Sequence, residues 1–197
     1  MVKPSSLEIP SVTSVDGAIE GSIIDGSIKV TFDNLSAHPD WLSTLAEWHH
    51  QEWLSTVDIE SLSNDDKKQA LDERTAFLQK HLTSDVIPTT FVGAYQDKPI
   101  ASASLIYHTH ESPSRPSRQS LWLTNVYVLP QWRMQGLGQH IVNMAIDYCC
   151  LHKFTRLQLY TFDATSYYLK RGWSYERTNQ IRGKDVDILS ICPESSR

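Results

Sequence analysis

Arg133-Met134-Gln135-Gly136-Leu137-Gly138 is the stretch of this chain best suited to holding an anion. An apolar run from Leu121 to Leu129 precedes it and stops at Pro130. Beyond it, Ile141, Ala145 and Cys149 recur at helical spacing, with Val142 and Ile146 beside them. A strand therefore feeds a Gly-rich turn that opens a helix. The first turn of a helix offers unpaired backbone N–H groups and the positive end of its dipole. Glycine there lets a phosphate approach the backbone closely. The nucleotide motifs fail: no Lys-Ser or Lys-Thr pair follows the glycines, and Ile141 stands where a dinucleotide fingerprint needs its third Gly. The plain alternative is a strand–turn–helix joint whose glycines only relieve crowding.

A second motif lies about 35 residues further on. A short strand, Leu157 to Thr161, leads into a helix that stops at Gly172, within Tyr168-Leu169-Lys170-Arg171-Gly172-Trp173. Taken together, R-x-x-G-x-G after a strand ending V-x-V-x-P, and Y-x-x-x-G-W after the next strand, resemble the GNAT superfamily of N-acetyltransferases. The similarity extends to uncharacterised bacterial members and covers about residues 27–193. The chain departs from the pattern at Met134, where many members have Gly, at Trp173 in place of Phe, and at Thr161, where the family commonly has Asn.

The resemblance implies acetyl-CoA as cosubstrate and an amine as acceptor. The backbone around Met134, Gln135, Gly136, Leu137, Gly138 and Gln139 is then expected to hold the pyrophosphate, with Arg133 beside it. Val126, Tyr127 and Val128 are expected to pair with the pantetheine arm as an added strand does, the Val128 N–H polarising the thioester carbonyl. The Thr161 hydroxyl is expected on the same arm. Tyr168 is the candidate general acid, because a phenol near pKa 10 can donate toward a thiolate whose acid form titrates near 8.5. A core aromatic is the other reading of Tyr168. Candidate proton acceptors are Glu52, His49 and His50 in one cluster, and His108, His110 and Glu111 in another, with Glu52 and His110 preferred.

The acceptor itself is not encoded in the fold or the cofactor motif. A small amine, a protein N-terminus or lysine, and a non-catalytic acyl-CoA-binding module all fit these motifs, with the compact chain favouring the small amine. No basic block points to nucleic acid in a chain of net charge −5. No apolar run approaches a membrane span, and the first residues lack the apolar core of a secretion signal. Cys149, Cys150 and Cys192 have neither disulfide-framework nor metal-ligand spacing and are expected to be reduced and buried, as in a cytoplasmic protein. GNAT proteins are often dimers, so a homodimer is open, with exposed tryptophans and residues 1–26 as candidate contacts.

The elements that must position these residues read as one α/β (α+β) GNAT domain over 27–197, after an N-terminal extension, 1–26, that is either a tail or an added hairpin. About six or seven strands form a mixed central sheet flanked by about four helices. Strands are expected at 27–35, 90–96, 99–108, 121–129, 155–161, 173–180 and 184–192, and helices at 38–54, 64–82, from the Gly-rich turn to about 152, and 163–171. Ser63 and Asp66 form a capping-box pattern. The polar, two-proline stretch 111–120 reads as a loop.

Overall fold

A computed structural model describes residues 14–15, 18–19, 21–25, 28–55, 62–83, 85–112 and 115–195. Strands β1 (Ser14–Val15) and β2 (Ala18–Ile19) form a small ribbon. The main sheet is built from β3 (Gly21–Asp25), β4 (Ile28–Asn34), β5 (Thr89–Tyr95), β6 (Lys98–Ser112), β7 (Arg115–Val128), β8 (Leu157–Thr161), β9 (Ser174–Ile181) and β10 (Lys184–Ile191). Its order is β3-β4-β5-β6-β7-β8-β10-β9, and only β7 and β8 run parallel among the described pairings. The mixed sheet and its flanking helices follow the expected architecture. The strand that brings the sheet to eight is β3, which lies within 1–26 and zips antiparallel onto β4.

Helices α1 (Leu42–Leu54) and α2 (Asn64–Gln79) cover one face. Leu45, Ala46 and Leu78 bury themselves there against Val92 and Ala94 of β5. Helix α3 (Leu137–Leu151) covers the opposite face, where Ile141, Val142, Ala145 and Cys149 pack on Phe91, Ala101, Ala103 and Leu105. The short α4 (Thr165–Leu169) contributes Tyr168 to that second core. Strand alternation explains the split, since successive side chains of β5 point to opposite faces. The Ser63–Asp66 capping box forms with both reciprocal hydrogen bonds and starts α2.

Three expectations need correcting. Residues 111–120 are not a loop: β6 continues to Ser112 and β7 begins at Arg115, with Thr109 opposite Gln119 and His110 opposite Arg118. The polar composition misleads because this arm projects past β8 and has a pairing partner on one side only. A register shift between His110 and Ser112 absorbs the stretch containing Pro116. Nor are the tryptophans exposed: Trp41, Trp122 and Trp173 are buried, and Trp48, Trp53 and Trp132 are half-buried. Of the cysteines, Cys149 is buried and its thiol is pushed up to about 12 by that burial, but Cys150 is half-buried and Cys192 is exposed. No helix among the described residues is long and apolar enough to cross a membrane.

Candidate active site

Strand β7 leaves its parallel neighbour almost as soon as it meets it. The pairing recorded between β7 and β8 is Trp122 with Gln158, so the sheet is open from Leu123 onward. A bulge sits at the start of the gap. Ser104 pairs with Thr124 but Ser102 pairs with Tyr127, so β7 carries one extra residue there. Asn125 takes up the extra length in a left-handed conformation, φ 53°, which Asn tolerates better than most residues.

Beyond the bulge, the Leu129 N–H donates to the Ile100 carbonyl on β6 at 2.9 Å. Alternation then turns the N–H and C=O of Val128 away from β6 and toward the gap. The Val128 carbonyl is reached from that outer side by Arg133 Nε at 2.8 Å. Arg133 therefore folds back over the end of β7, above the Tyr127 ring and 3.9 Å from Glu52.

The gap holds a cavity of about 460 Å³. Val126, Tyr127, Thr161, Tyr168 and Glu52 line it, as do Asn125, His49 and Arg74. The structure thus brings five of the expected site residues, Glu52, Val126, Tyr127, Thr161 and Tyr168, to one cavity from α1, β7, β8 and α4. Thr161 is buried, and its Oγ1 accepts the Ala164 N–H at 3.0 Å, leaving the hydroxyl hydrogen to donate. Tyr168 is buried edge-on against Trp173, and burial pushes its phenol up to about 12. His110 is not brought in. It pairs with Arg118, roughly 23 Å back along β7 from the bulge by strand rise. Its side chain, like that of Glu111, lies outside the described residues.

The Gly-rich turn ends where α3 begins. Gly136 is the N-cap, at φ 82°, a conformation that strains any residue with a Cβ. The first bond into the helix is His140 N–H to Gly136 C=O at 3.0 Å, so Leu137, Gly138 and Gln139 present N–H groups with no carbonyl inside the helix. A Cβ on Gly138 would meet nothing closer than Val128 Cγ2 at 3.6 Å, ordinary contact. Crowding within the protein therefore does not require glycine at 138, whereas an anion seated on these N–H groups would. Met134 is fully exposed in a left-handed conformation, and Gln135 Nε2 donates to the Gln131 carbonyl at 3.2 Å.

The family model of the acetyltransferase (GNAT) family matches residues 43–173. The chain belongs to the GNAT family. Acyl transfer is its class of reaction, and acetyl-CoA is its cosubstrate. A search of curated proteins gave no match. Similar solved structures include a GNAT-family acetyltransferase of Streptococcus pneumoniae, 19% identical, with TM-score 0.59 over 83% of this chain and 98% of that one. The PaiA N-acetyltransferase of Thermoplasma acidophilum, solved with coenzyme A, is 17% identical, with TM-score 0.56 over 83% and 98%. A spermidine N-acetyltransferase SpeG chimera from Vibrio cholerae and hSSAT is 16% identical, with TM-score 0.53 over 85% and 97%.

One part of the candidate site escaped the sequence reading. The bulge rests on a buried polar chain running between α1 and the turn after α2. Ser102 Oγ donates to the Asn125 carbonyl at 3.1 Å, and Asn125 Nδ2 donates to Ser104 Oγ at 3.3 Å. Ser104 Oγ lies 2.9 Å from Thr90 Oγ1, which lies 2.8 Å from His81 Nδ1. At the other end His49 Nε2 lies 3.0 Å from Ser102 Oγ. The serine hydrogen is committed to Asn125, so His49 must donate through Nε2 and keep its lone pair on Nδ1. Its sequence trace is the polar alternation of Ser102 and Ser104 inside the otherwise apolar run from Ile100 to Ile106.

Both histidines are held neutral. Burial, then the Arg74 and His81 charges, brings His49 down to about 3; burial brings His81 down to about 4. An unfolded His takes its proton near 6.5. Below that pH the unfolded chain binds more protons than the fold, so stability rises with pH. The contribution is complete above about pH 6.5 and drains as pH falls toward the folded values, by up to about 1.4 kcal/mol per pH unit for each group. Urea unfolding at about pH 7.5 and about pH 5 should show the loss, and His81→Gln should flatten it. Equal stability at both pH values would contradict this reading of the network.

Proposed function

We propose that the chain transfers the acetyl group of acetyl-CoA to the primary amine of a small molecule by direct attack on the thioester. The observation that carries this reading is the cavity in the β7–β8 gap, which joins Val126 and Tyr127 of β7 to Thr161 and Tyr168. Its volume is within the ordinary range for small-molecule sites.

Acetyl-CoA supplies an activated acyl group, and the chain's residues supply the rest. The backbone groups of Val126 and Val128 bind the pantetheine arm as a missing strand would, filling the side of β7 that β8 has left. The Val128 N–H donates to the thioester carbonyl oxygen. The N–H groups of Leu137, Gly138 and Gln139 hold the pyrophosphate at the start of α3. The Thr161 hydroxyl hydrogen-bonds the arm from β8. Tyr168 donates to the sulfur as it departs. Glu52, exposed at the cavity rim beside Arg133, receives the amine's proton through water.

A protein N-terminus or lysine as acceptor, and binding without turnover, are the competing readings. Release of free thiol from acetyl-CoA across a panel of amines, peptides and no acceptor decides between them. Turnover with small amines is the expected result; turnover with peptides alone, or none with acetyl-CoA bound, would overturn it.

A further inference from the structure

Part of the cavity lining comes from α1, α2 and the β9–β10 turn, and the last two of these bring a cation each. Arg74 on α2 and Arg182 in the turn both line it. Arg74 is half-buried, and its Nε is buried with no hydrogen-bond partner. Among the described residues no carboxylate lies within ion-pair distance of Arg74. A guanidinium placed in a partly buried wall normally has a carboxylate or phosphate on its fork. The surroundings of Arg74 run the other way: burial and the neighbouring Arg182 charge both lower its pKa. Arg182 lies over the Trp53 ring, 5.2 Å from its centroid, which keeps that second cation on the cavity side of α1.

We infer that the acceptor is an amine that also carries a carboxylate, and that Arg74 binds this carboxylate with the field of Arg182 added to it. The inference rests on the acetyltransferase reading above. The phosphates of the cosubstrate do not explain Arg74, because α2 lies on the sheet face opposite α3, whose first turn presents the anion-binding N–H groups. The same cavity carries carboxylates at Glu52 and Asp163 for an ammonium group. A concave site with charges of both signs suits an amino acid better than a polyamine, which would bring only positive charge to the Arg74 wall. Trp53, Tyr160 and Phe162 border the cavity and give such an amino acid an aromatic or apolar side chain to rest on.

Matched pairs test this with the full chain: phenylalanine against phenylalaninamide, glycine against glycinamide, and spermidine as a carboxylate-free amine. Thiol release should give the acid a kcat/KM at least about tenfold above its amide, one well-made charge-assisted contact. Arg74→Gln should bring the acid-to-amide ratio close to one through KM for the acid, with acetyl-CoA affinity within about twofold. Arg74→Lys should restore part of the ratio and guards against a folding defect. Calorimetric titration of each pair into CoA-saturated protein reads the same preference without turnover. Equal affinity for acid and amide, binding of neither, better turnover of spermidine, or a preference that survives Arg74→Gln would overturn the inference. Failure of acetyl-CoA to bind, with no amine acetylated, would instead sink the acetyltransferase reading.

Discussion

Tyr168→Phe is expected to lower kcat by about 10²-fold or more while acetyl-CoA affinity stays nearly unchanged. The ring is buried against Trp173 and Tyr167, and Phe keeps that packing, so stability should change little. What is lost is the hydroxyl donor of a residue that lines the cavity. Its pKa decides how it works. Burial holds the phenol up at about 12, so it stays protonated throughout the neutral range. Moving that proton fully to a thiolate whose acid form titrates near 8.5 is uphill by roughly 5 kcal/mol. Tyr168 therefore acts by donating a hydrogen bond to the sulfur as charge develops, the commoner source of large catalytic gains. It follows that the pH–rate profile should carry no basic limb from Tyr168 below about pH 11. Single-turnover kinetics of the variant with saturating acetyl-CoA measures this directly. An unchanged kcat would remove Tyr168 from the chemistry.

Gly138→Ala is expected to separate stability from binding. Inside the protein the added methyl meets only Val128 Cγ2, at 3.6 Å. Replacing a helical glycine by alanine then leaves stability unchanged or raises it by up to about 1 kcal/mol. The same methyl occupies the approach to the N–H groups at the start of α3, so acetyl-CoA affinity should fall by about 10- to 100-fold, or roughly 1.4–2.8 kcal/mol. Gly136→Ala should behave differently, because φ 82° forces strain on any Cβ and costs about 1–2 kcal/mol of stability. Thermal unfolding with and without acetyl-CoA reads both quantities in one experiment. If Gly138→Ala keeps full affinity, the turn is a structural joint and the phosphate site lies elsewhere.

What the sequence made legible was local. Gly136, Gly138 and Tyr168 stand in short motifs whose spacing is fixed by a strand, a turn and a helix, so the family could be read from them without a fold. Outside 111–120 the strands and helices of the domain followed from periodicity, and the Ser63–Asp66 box marked the start of α2 correctly. The acceptor side was not legible, because it is assembled across the chain. Arg74 and Arg182 are separated by most of the domain and meet only when α2 and the β9–β10 turn close on the same gap. The Asn125 bulge was hidden for the same reason, since its supports come from β5, β6, α1 and the turn after α2. The place of His110 could not be read either, because a side-chain pKa says nothing about which end of a strand a residue occupies, and register sets it opposite Arg118.

The most direct measurement is amide hydrogen exchange by NMR, residue by residue, with and without acetyl-CoA. Val128 sits in a strand, yet its N–H turns away from β6 toward an open gap, and Val126 lies in the bulge, so both should exchange quickly in the free protein. Acetyl-CoA should slow Val126, Val128 and the Leu137–Gln139 amides together, leaving Tyr127 and Leu129, which face β6, little changed. Protection by ATP or NAD in place of acetyl-CoA, or acetyl-CoA binding that leaves Val126 and Val128 exchanging freely, would contradict the β7–β8 gap as the acyl-CoA site.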